Sequence, residues 1–252
     1  MRDDLLNRYS RHIMLDDIGI SGQENINRAK VLIIGAGGLA SPVALYLAAA
    51  GIGHLTICDD DNIDETNLQR QILYATDDIG KSKSTTAAAT MRRINPHIQT
   101  RAIGEKFDDA NAAKLAAAAD IIIDASDNYA TRHLANRAVR RAKTPLIFGA
   151  AMATEGQVSV FDGRDKNAPC YNCLYSESDK AEETRCALMG VFSPLVGIVG
   201  AVMAAEALKL IAMPQAPTLA GRLLLIDARA MQIREIKLPQ DPKCPVCNDN
   251  RR

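Results

Sequence analysis

Two groups of residues in this chain have the types and spacing for chemistry. The first is a quartet of cysteines. Cys170-Tyr171-Asn172-Cys173 and Cys244-Pro245-Val246-Cys247 are both C-x-x-C, with 70 residues between the pairs. Two such pairs can supply four thiolates tetrahedrally to zinc, and four sulfurs leave no open position, so the site reads as structural. The gap is longer than that of a zinc finger. The fold must therefore bring the pairs together, and the metal would staple the C-terminal end onto the core. The alternatives are unligated thiols or a redox C-x-x-C, but neither pair is expected to open a helix after a thioredoxin-like strand.

The second group lies between Val31 and Lys83. Gly35, Gly37 and Gly38 follow the apolar run Val31 to Ile34, and Asp59, Asp60 and Asp61 follow the second apolar run, Leu55 to Cys58. Asn67-Leu68-Gln69-Arg70-Gln71 and Gly80-Lys81-Ser82-Lys83 come next. Glycine lets the backbone take positive φ and lets a phosphate approach without a Cβ in the way. The helix that follows points its free N–H groups at that phosphate. An acid ending the next strand can accept from ribose hydroxyls, and Asp59 stands 24 positions after Gly35, near the expected spacing. The turn alone does not separate NAD, FAD and ATP. A triphosphate recruits Arg and Lys side chains where a pyrophosphate needs mostly backbone N–H groups. Arg70 and Lys83, with a second Asp at the end of a later strand, favour a nucleoside triphosphate with a metal. A tight turn beside ordinary surface cations is the plain alternative.

The elements that must position these residues are legible. Ser41 to Ala50 is helix-favouring and Gly51 can end it. Ser82 to Ile94 reads as a helix stopped at Asn95-Pro96. Ile98 to Ile103 is a strand, Asp108 to Ala119 a helix capped by Asp108, and Asp120 to Asp124 a strand leading into Ala125-Ser126-Asp127-Asn128. Thr131 to Ala142 is a helix and Pro145 to Phe148 a strand. This alternation implies a largely parallel, doubly wound, Rossmann-like α/β sheet. Gln157 to Phe161, Arg222 to Asp227 and Gln232 to Leu238 read as strands that extend it antiparallel. Leu195 to Leu210 is an apolar helix rich in small residues, expected to pack in the core, with a dimer interface as the next reading. Asp3 to Ile18 has helix-compatible apolar spacing and precedes the first core strand, so it must lie outside the nucleotide unit. The whole chain, 1–252, is expected to be one unit, with a helical arm over 1–28 and a mobile loop over 170–190.

Composition excludes several classes. Lys+Arg and Asp+Glu are each 30, so the formal net charge is zero, which argues against a nucleic-acid binder that works by bulk charge. The N-terminus is charged, with no visible signal peptide, and the charge-free part of the greasy stretch from Leu195 to Met213 is too short to span a bilayer. A cytoplasmic protein with no membrane partner is expected, where disulfides are unexpected. Cys58, at a strand end, reads as packing. Cys186 lies in the charged loop after Arg185, where a cation can lower a thiol's pKa and make it a nucleophile. A plain loop cysteine is the competing reading.

The motifs RYSRH, GAGGLA, NLQRQ, GKSKS, INPHI, DASDN, GAAMATEGQVSVF, CYNC and CPVC occur in the order seen in the MoeB/ThiF family. The chain thus resembles the sulfur-carrier-protein adenylyltransferases related to ubiquitin-activating enzymes. The resemblance runs from Arg8 to Cys247. It implies an enzyme that binds Mg-ATP and the Gly-Gly tail of a small ubiquitin-like sulfur carrier of ThiS or MoaD type. The tail carboxylate would attack the α-phosphate, giving a carrier acyl-adenylate and pyrophosphate. By the same resemblance, Gly37 and Gly38 would cradle the nucleotide and Asp59 would hold the ribose. Asn67, Arg70 and Lys83 would contact phosphates, and Asp127, with Asn128 beside it, would hold Mg2+. Arg11 would reach the partner's site in a homodimer, Cys170, Cys173, Cys244 and Cys247 would bind Zn2+, and Cys186 would form a covalent sulfur link with the carrier. His12 stands where the family commonly has Gln, and Ala40 replaces the last glycine of the turn. The rhodanese domain appended to some relatives is not expected here, so a separate sulfur donor, a cysteine desulfurase or a rhodanese, is expected. An NAD(P)-dependent oxidoreductase on the same glycine turn would leave Arg70 and Lys83 without a role. A non-catalytic partner-binding scaffold would leave the intact set of charged residues without one.

Overall fold

A computed structural model describes residues 2–177 and 190–248. Its centre is a sheet of eight strands in the order β3-β2-β1-β4-β5-β6-β7-β8. β1 (Lys30–Ile34), β2 (His54–Cys58), β3 (Gln99–Ile103), β4 (Ile121–Asp124) and β5 (Pro145–Met152) pair in parallel. β6 (Glu155–Asp162), β7 (Arg222–Asp227) and β8 (Gln232–Lys237) extend the sheet antiparallel, as the sequence suggested.

The side chains of β1 alternate between two cores. Val31 and Ile33 point to one face, with Ile26, Val43, Leu47, Met91, Leu195 and Met203. Leu32 and Ile34 point to the other, with Leu115, Ala135, Val139 and Tyr171. A period of two with apolar residues at every position is what a strand covered on both faces requires. The first face is covered by α3 (Gly19–Arg28), α4 (Ala40–Ala50), α5 (Lys83–Ile94) and the twenty-residue α9 (Ser193–Ala212). The second is covered by α6 (Ala112–Ala117), α7 (Tyr129–Ala142) and the short α8 (Tyr171–Leu174).

Helix α9 is long and apolar enough to cross a membrane by length and composition, but half of its most apolar window is buried in the fold. Its small residues serve close packing against α4: a Cβ on Gly200 would lie 2.4 Å from Pro42 Cγ. Its one acid, Glu206, is buried and accepts from the Leu219 N–H at 2.7 Å, so the charge is satisfied inside the core.

Four expectations change. Asp3 to Ile18 is not one helix. α1 (Asp3–Arg8) and α2 (Ser10–Ile13) break at Tyr9, which turns into the core, where its hydroxyl accepts from Asn95 Nδ2 at 2.9 Å. Asp108 does not cap α6. It accepts from the Ala110 N–H in a preceding turn, and the helix begins at Ala112. The strand expected to end at Phe148 runs on to Met152, because β6 pairs with it through Met152↔Glu155. Within the stretch expected as a loop, Tyr171–Leu174 is a helical turn. Cys186 lies outside the described residues.

Candidate active site

Strand order reverses between β1 and β4. β2 and β3 lie to one side, β5 to the other, and the loops leaving β1 and β4 part at their carboxyl ends. Such a switch point opens a crevice in a parallel sheet. Here the crevice is a pocket of about 770 Å³.

Gly35 forms the first wall. Its φ is +88°, and a Cβ would lie 2.9 Å from the Ala125 carbonyl oxygen, so the loops after β1 and β4 touch where only glycine fits. The Ala36 N–H donates to Asp59 Oδ2 at 2.7 Å, and the Asp61 N–H donates to Asp59 Oδ1 at 2.9 Å. Burial pushes the Asp59 carboxyl above its ordinary value, and these two donors and Lys83 pull it back part of the way. A carboxylate has about four acceptor positions, so the anchored group keeps capacity for ribose hydroxyls. Tyr74 donates to the Ala36 carbonyl at 2.7 Å and fixes the glycine turn from behind. Cys58 is buried and lines the pocket, its thiol donating to the Glu105 carbonyl. Burial pushes that thiol up to about 12, the behaviour of packing rather than of a nucleophile.

Lys83 opens α5. Its ammonium is buried and pairs with Asp61 Oδ2 at 2.8 Å, while the Asp61 side chain is 66% exposed. The cation is thus held by an anion facing solvent, where an incoming phosphate could take over. Arg70 donates to the Thr66 carbonyl at 3.1 Å, and Asn67 accepts from the Asp64 N–H at 3.3 Å. Both are set by the turn between β2 and α5, and both line the pocket.

The loop after β4 supplies Asp127 and Asn128. It rests on Asp124, fully buried, whose Oδ1 accepts from the Ser126 N–H at 3.0 Å and the Ser126 hydroxyl at 2.6 Å. Burial pushes Asp124 above its ordinary value, against the pull of Arg132 and Ser126. Arg132 donates to the Ser126 carbonyl at 3.0 Å and lies 5.2 Å from the Phe148 ring centroid. This leaves Asp127 exposed at the pocket mouth. Asn128 lines the pocket too, but its Oδ1 accepts from the Thr131 N–H at 2.9 Å and caps α7.

The expected residues Gly37, Gly38, Asp59, Asn67, Arg70, Lys83, Asp127 and Asn128 therefore line one pocket. Arg11 does not. It is exposed on α2, away from the pocket of its own chain. Sequence reasoning missed Arg132, Gln157 and Tyr175, which also line it. The signal for Arg132 was a cation one turn into a helix that starts at the pocket. Gln157 and Tyr175 gave no local signal.

The four sulfurs of the cysteine quartet lie within 4.8 Å of one another. Cys170 and Cys244 are 3.7 Å apart, Cys173 and Cys247 3.4 Å. A zinc tetrahedron with bonds of about 2.3 Å has edges of about 3.8 Å, so the set fits. Each sulfur also has an N–H nearby: Asn136 Nδ2 for Cys170, Asn172 Nδ2 for Cys244, the Asp241 N–H for Cys173 and Gln240 Nε2 for Cys247. Donors of this kind favour thiolates. Cys170 does precede a helix, α8, contrary to expectation. The cross-pair packing of all four thiols nonetheless suits a shared ion rather than two redox pairs.

Residues 9–246 match the model of the ThiF family. The sulfur carrier protein adenylyltransferase of Thermus thermophilus is 40% identical over 248 residues, covering 97% of this chain and 91% of that protein. The molybdopterin-synthase adenylyltransferase of Escherichia coli is 40% identical over 247 residues, covering 98% of each chain. The sulfur carrier protein ThiS adenylyltransferase of the same organism is also 40% identical over 247 residues, covering 98% of this chain and 97% of that protein. Among solved structures, Escherichia coli MccB with ATP superposes with a TM-score of 0.82 at 25% identity, over 96% of this chain and 75% of that one. The fold, the switch-point pocket and these likenesses agree: the chain belongs to the ThiF family.

Proposed function

We propose that this protein activates a small ubiquitin-like sulfur carrier, of ThiS or MoaD type, by adenylating its C-terminal Gly-Gly carboxylate. The observation that carries the reading is the gathering of Asp59, Asn67, Arg70, Lys83 and Asp127 around one glycine turn. The names of the relatives supply the substrate class. Identity is 40% to both the thiamin-type and the molybdopterin-type relative, so it does not choose between the two carriers.

The chemistry follows from the charges. A carboxylate and a triphosphate repel each other, and Arg70 and Lys83 offset that repulsion. The carboxylate is already ionised at neutral pH, so no general base is needed. Its oxygen forms a bond to the α-phosphorus as the bond to the bridging oxygen breaks, and pyrophosphate leaves with that electron pair. The chain's contribution is position and electrostatics. Asp59 orients the ribose, and Arg70 with Lys83 aligns the phosphates. Asp127 would hold Mg2+, which supplies further charge neutralisation on the phosphates. The cysteine quartet would hold Zn2+ as a staple between α8 and the chain after β8. Arg11, lying away from its own pocket, would serve the site of a second copy in a homodimer. Cys186 would make the covalent sulfur link with the carrier. A cysteine desulfurase or a rhodanese would deliver the sulfur.

The test is ATP–pyrophosphate exchange with a ThiS-type and a MoaD-type carrier, each with and without its terminal glycine. Exchange should require a carrier and its last glycine. Exchange without a carrier, tight binding without exchange, or a thermal shift with NADH in place of Mg-ATP would each overturn the reading.

A further inference from the structure

The pocket has two chemically different ends. The phosphate end carries Arg70 and Lys83. The opposite end is formed by Ala150, Ala151 and Met152 of β5, Glu155 and Gln157 of β6, and Tyr175; the cation beside it, Arg132, lies over the Phe148 ring and is engaged by the Ser126 carbonyl. With Arg132 already engaged and Glu155 an anion, a phosphate would be poorly served there. A neutral, extended chain would find a narrow floor, because Ala150 and Gln157 are register partners and so stand on one face of the sheet.

Gln157 has a fixed orientation. The Tyr175 hydroxyl donates to Gln157 Oε1 at 2.6 Å. Tyr175 is itself held by rings on three sides: Tyr171 at 5.5 Å, Tyr129 at 6.1 Å and Phe148 at 6.5 Å between centroids. With Oε1 engaged, the carboxamide turns its Nε2 donor the other way. A carboxamide matches a peptide group in donor and acceptor type.

We infer that Gln157, held by Tyr175, is a specificity-determining contact that donates to a main-chain carbonyl of the acceptor polypeptide's tail. The inference rests on the proposed function and adds to it the chain's own handle on the tail. Gln157 touches the substrate. Tyr175 acts through it, as a positioning residue.

The experiment is steady-state exchange with whichever of the ThiS-type and MoaD-type carriers supports it. Gln157→Leu, Gln157→Glu, Tyr175→Phe and the Gln157→Leu/Tyr175→Phe pair are each titrated separately in carrier and in ATP. Gln157→Leu should raise the carrier KM about five- to tenfold, the worth of one neutral hydrogen bond, and leave the ATP KM within about twofold. Tyr175→Phe should raise the carrier KM less, by freeing the carboxamide, and should add nothing in the Gln157→Leu background. Gln157→Glu should be worse than Leu, because it sets an anion against a carbonyl and a carboxylate tail. Equal rises in both KM values, or additive effects of the two changes, would mean a merely structural role and overturn the inference. Unchanged carrier KM in all four variants would do the same. If the unaltered protein exchanges with neither carrier, the parent reading fails, and this one with it.

Discussion

The pocket and the cysteine cluster treat their valences in opposite ways. In the pocket, Lys83 is buried but its partner Asp61 is 66% exposed, and Asp127 stands at the open mouth. Charge there remains available to a ligand. In the cluster, four sulfurs face one another within 4.8 Å, and each has its own N–H donor. Nothing is left over once an ion sits among them. One region is therefore built to exchange partners and the other to keep one. Substitutions should separate the two: stability without rate in the cluster, rate without stability in the pocket.

The largest effect is expected from the cluster. Cys173→Ser with Cys247→Ser should abolish zinc binding, read as metal per chain by mass spectrometry. The melting temperature should fall by more than about 5 °C, because the metal's binding energy is folding energy. Mg-ATP affinity should stay within about threefold. A collapse of nucleotide affinity alongside the metal would show that the two regions are not separable.

Arg132 lies between them. Its guanidinium holds the Ser126 carbonyl below the Asp127 loop, and α7 also carries Asn136, a donor to Cys170. Arg132→Met would remove the donor to the Ser126 carbonyl and the cation whose field opposes the burial of Asp124, at a cost of about 1–3 kcal/mol. Adding Asp124→Asn should recover part of that cost in urea denaturation. If the single change costs under about 1 kcal/mol, Asp124 is not held by Arg132.

In the pocket, Lys83→Ala and Asp127→Ala should each lower exchange by about 10²–10³-fold, the range for loss of one charge-stabilising group. The melting temperature should move by about 2 °C or less, since the other member of the Lys83–Asp61 pair is exposed. A loss below about tenfold in both variants would remove the electrostatic account.

What could be seen in the sequence divides along the same line. The phosphate end is built from residues close in sequence, after β1, after β2 and at the start of α5. Its strand, turn and helix signals therefore place it without tertiary knowledge. The cluster was legible in its ligands, because C-x-x-C spacing is local, but not in how 70 residues fold back to join the pairs. The end lined by Gln157 and Tyr175 was invisible. Gln157 and Tyr175 meet only because β6 pairs beside β5 while α8 packs on the other core, and no periodicity reports that meeting. Tyr9 broke the arm for a similar reason: burial against Asn95, distant in sequence, won over helical spacing.

The smallest effect concerns Asp59, and there the two behaviours run against each other in one residue. Burial sets its folded pKa above the ordinary 3.8. Protons therefore bind the folded state more tightly than the unfolded one. The stability contributed by Asp59 is fully present below the ordinary value and is lost as pH rises through the raised one. Ribose binding has the opposite sign, because the ionised carboxylate is the better acceptor. Affinity for the ribose hydroxyls should be gained over the same interval. The difference in binding between adenosine and its 2′,3′-dideoxy analogue, by calorimetry from pH 4 to 7, isolates those hydroxyls from every other titration. It should amount to about 1 kcal/mol or slightly more at neutral pH and shrink on acidification above the range of an exposed aspartate. A difference that holds steady down to pH 4 would mean that the hydroxyls do not rest on Asp59.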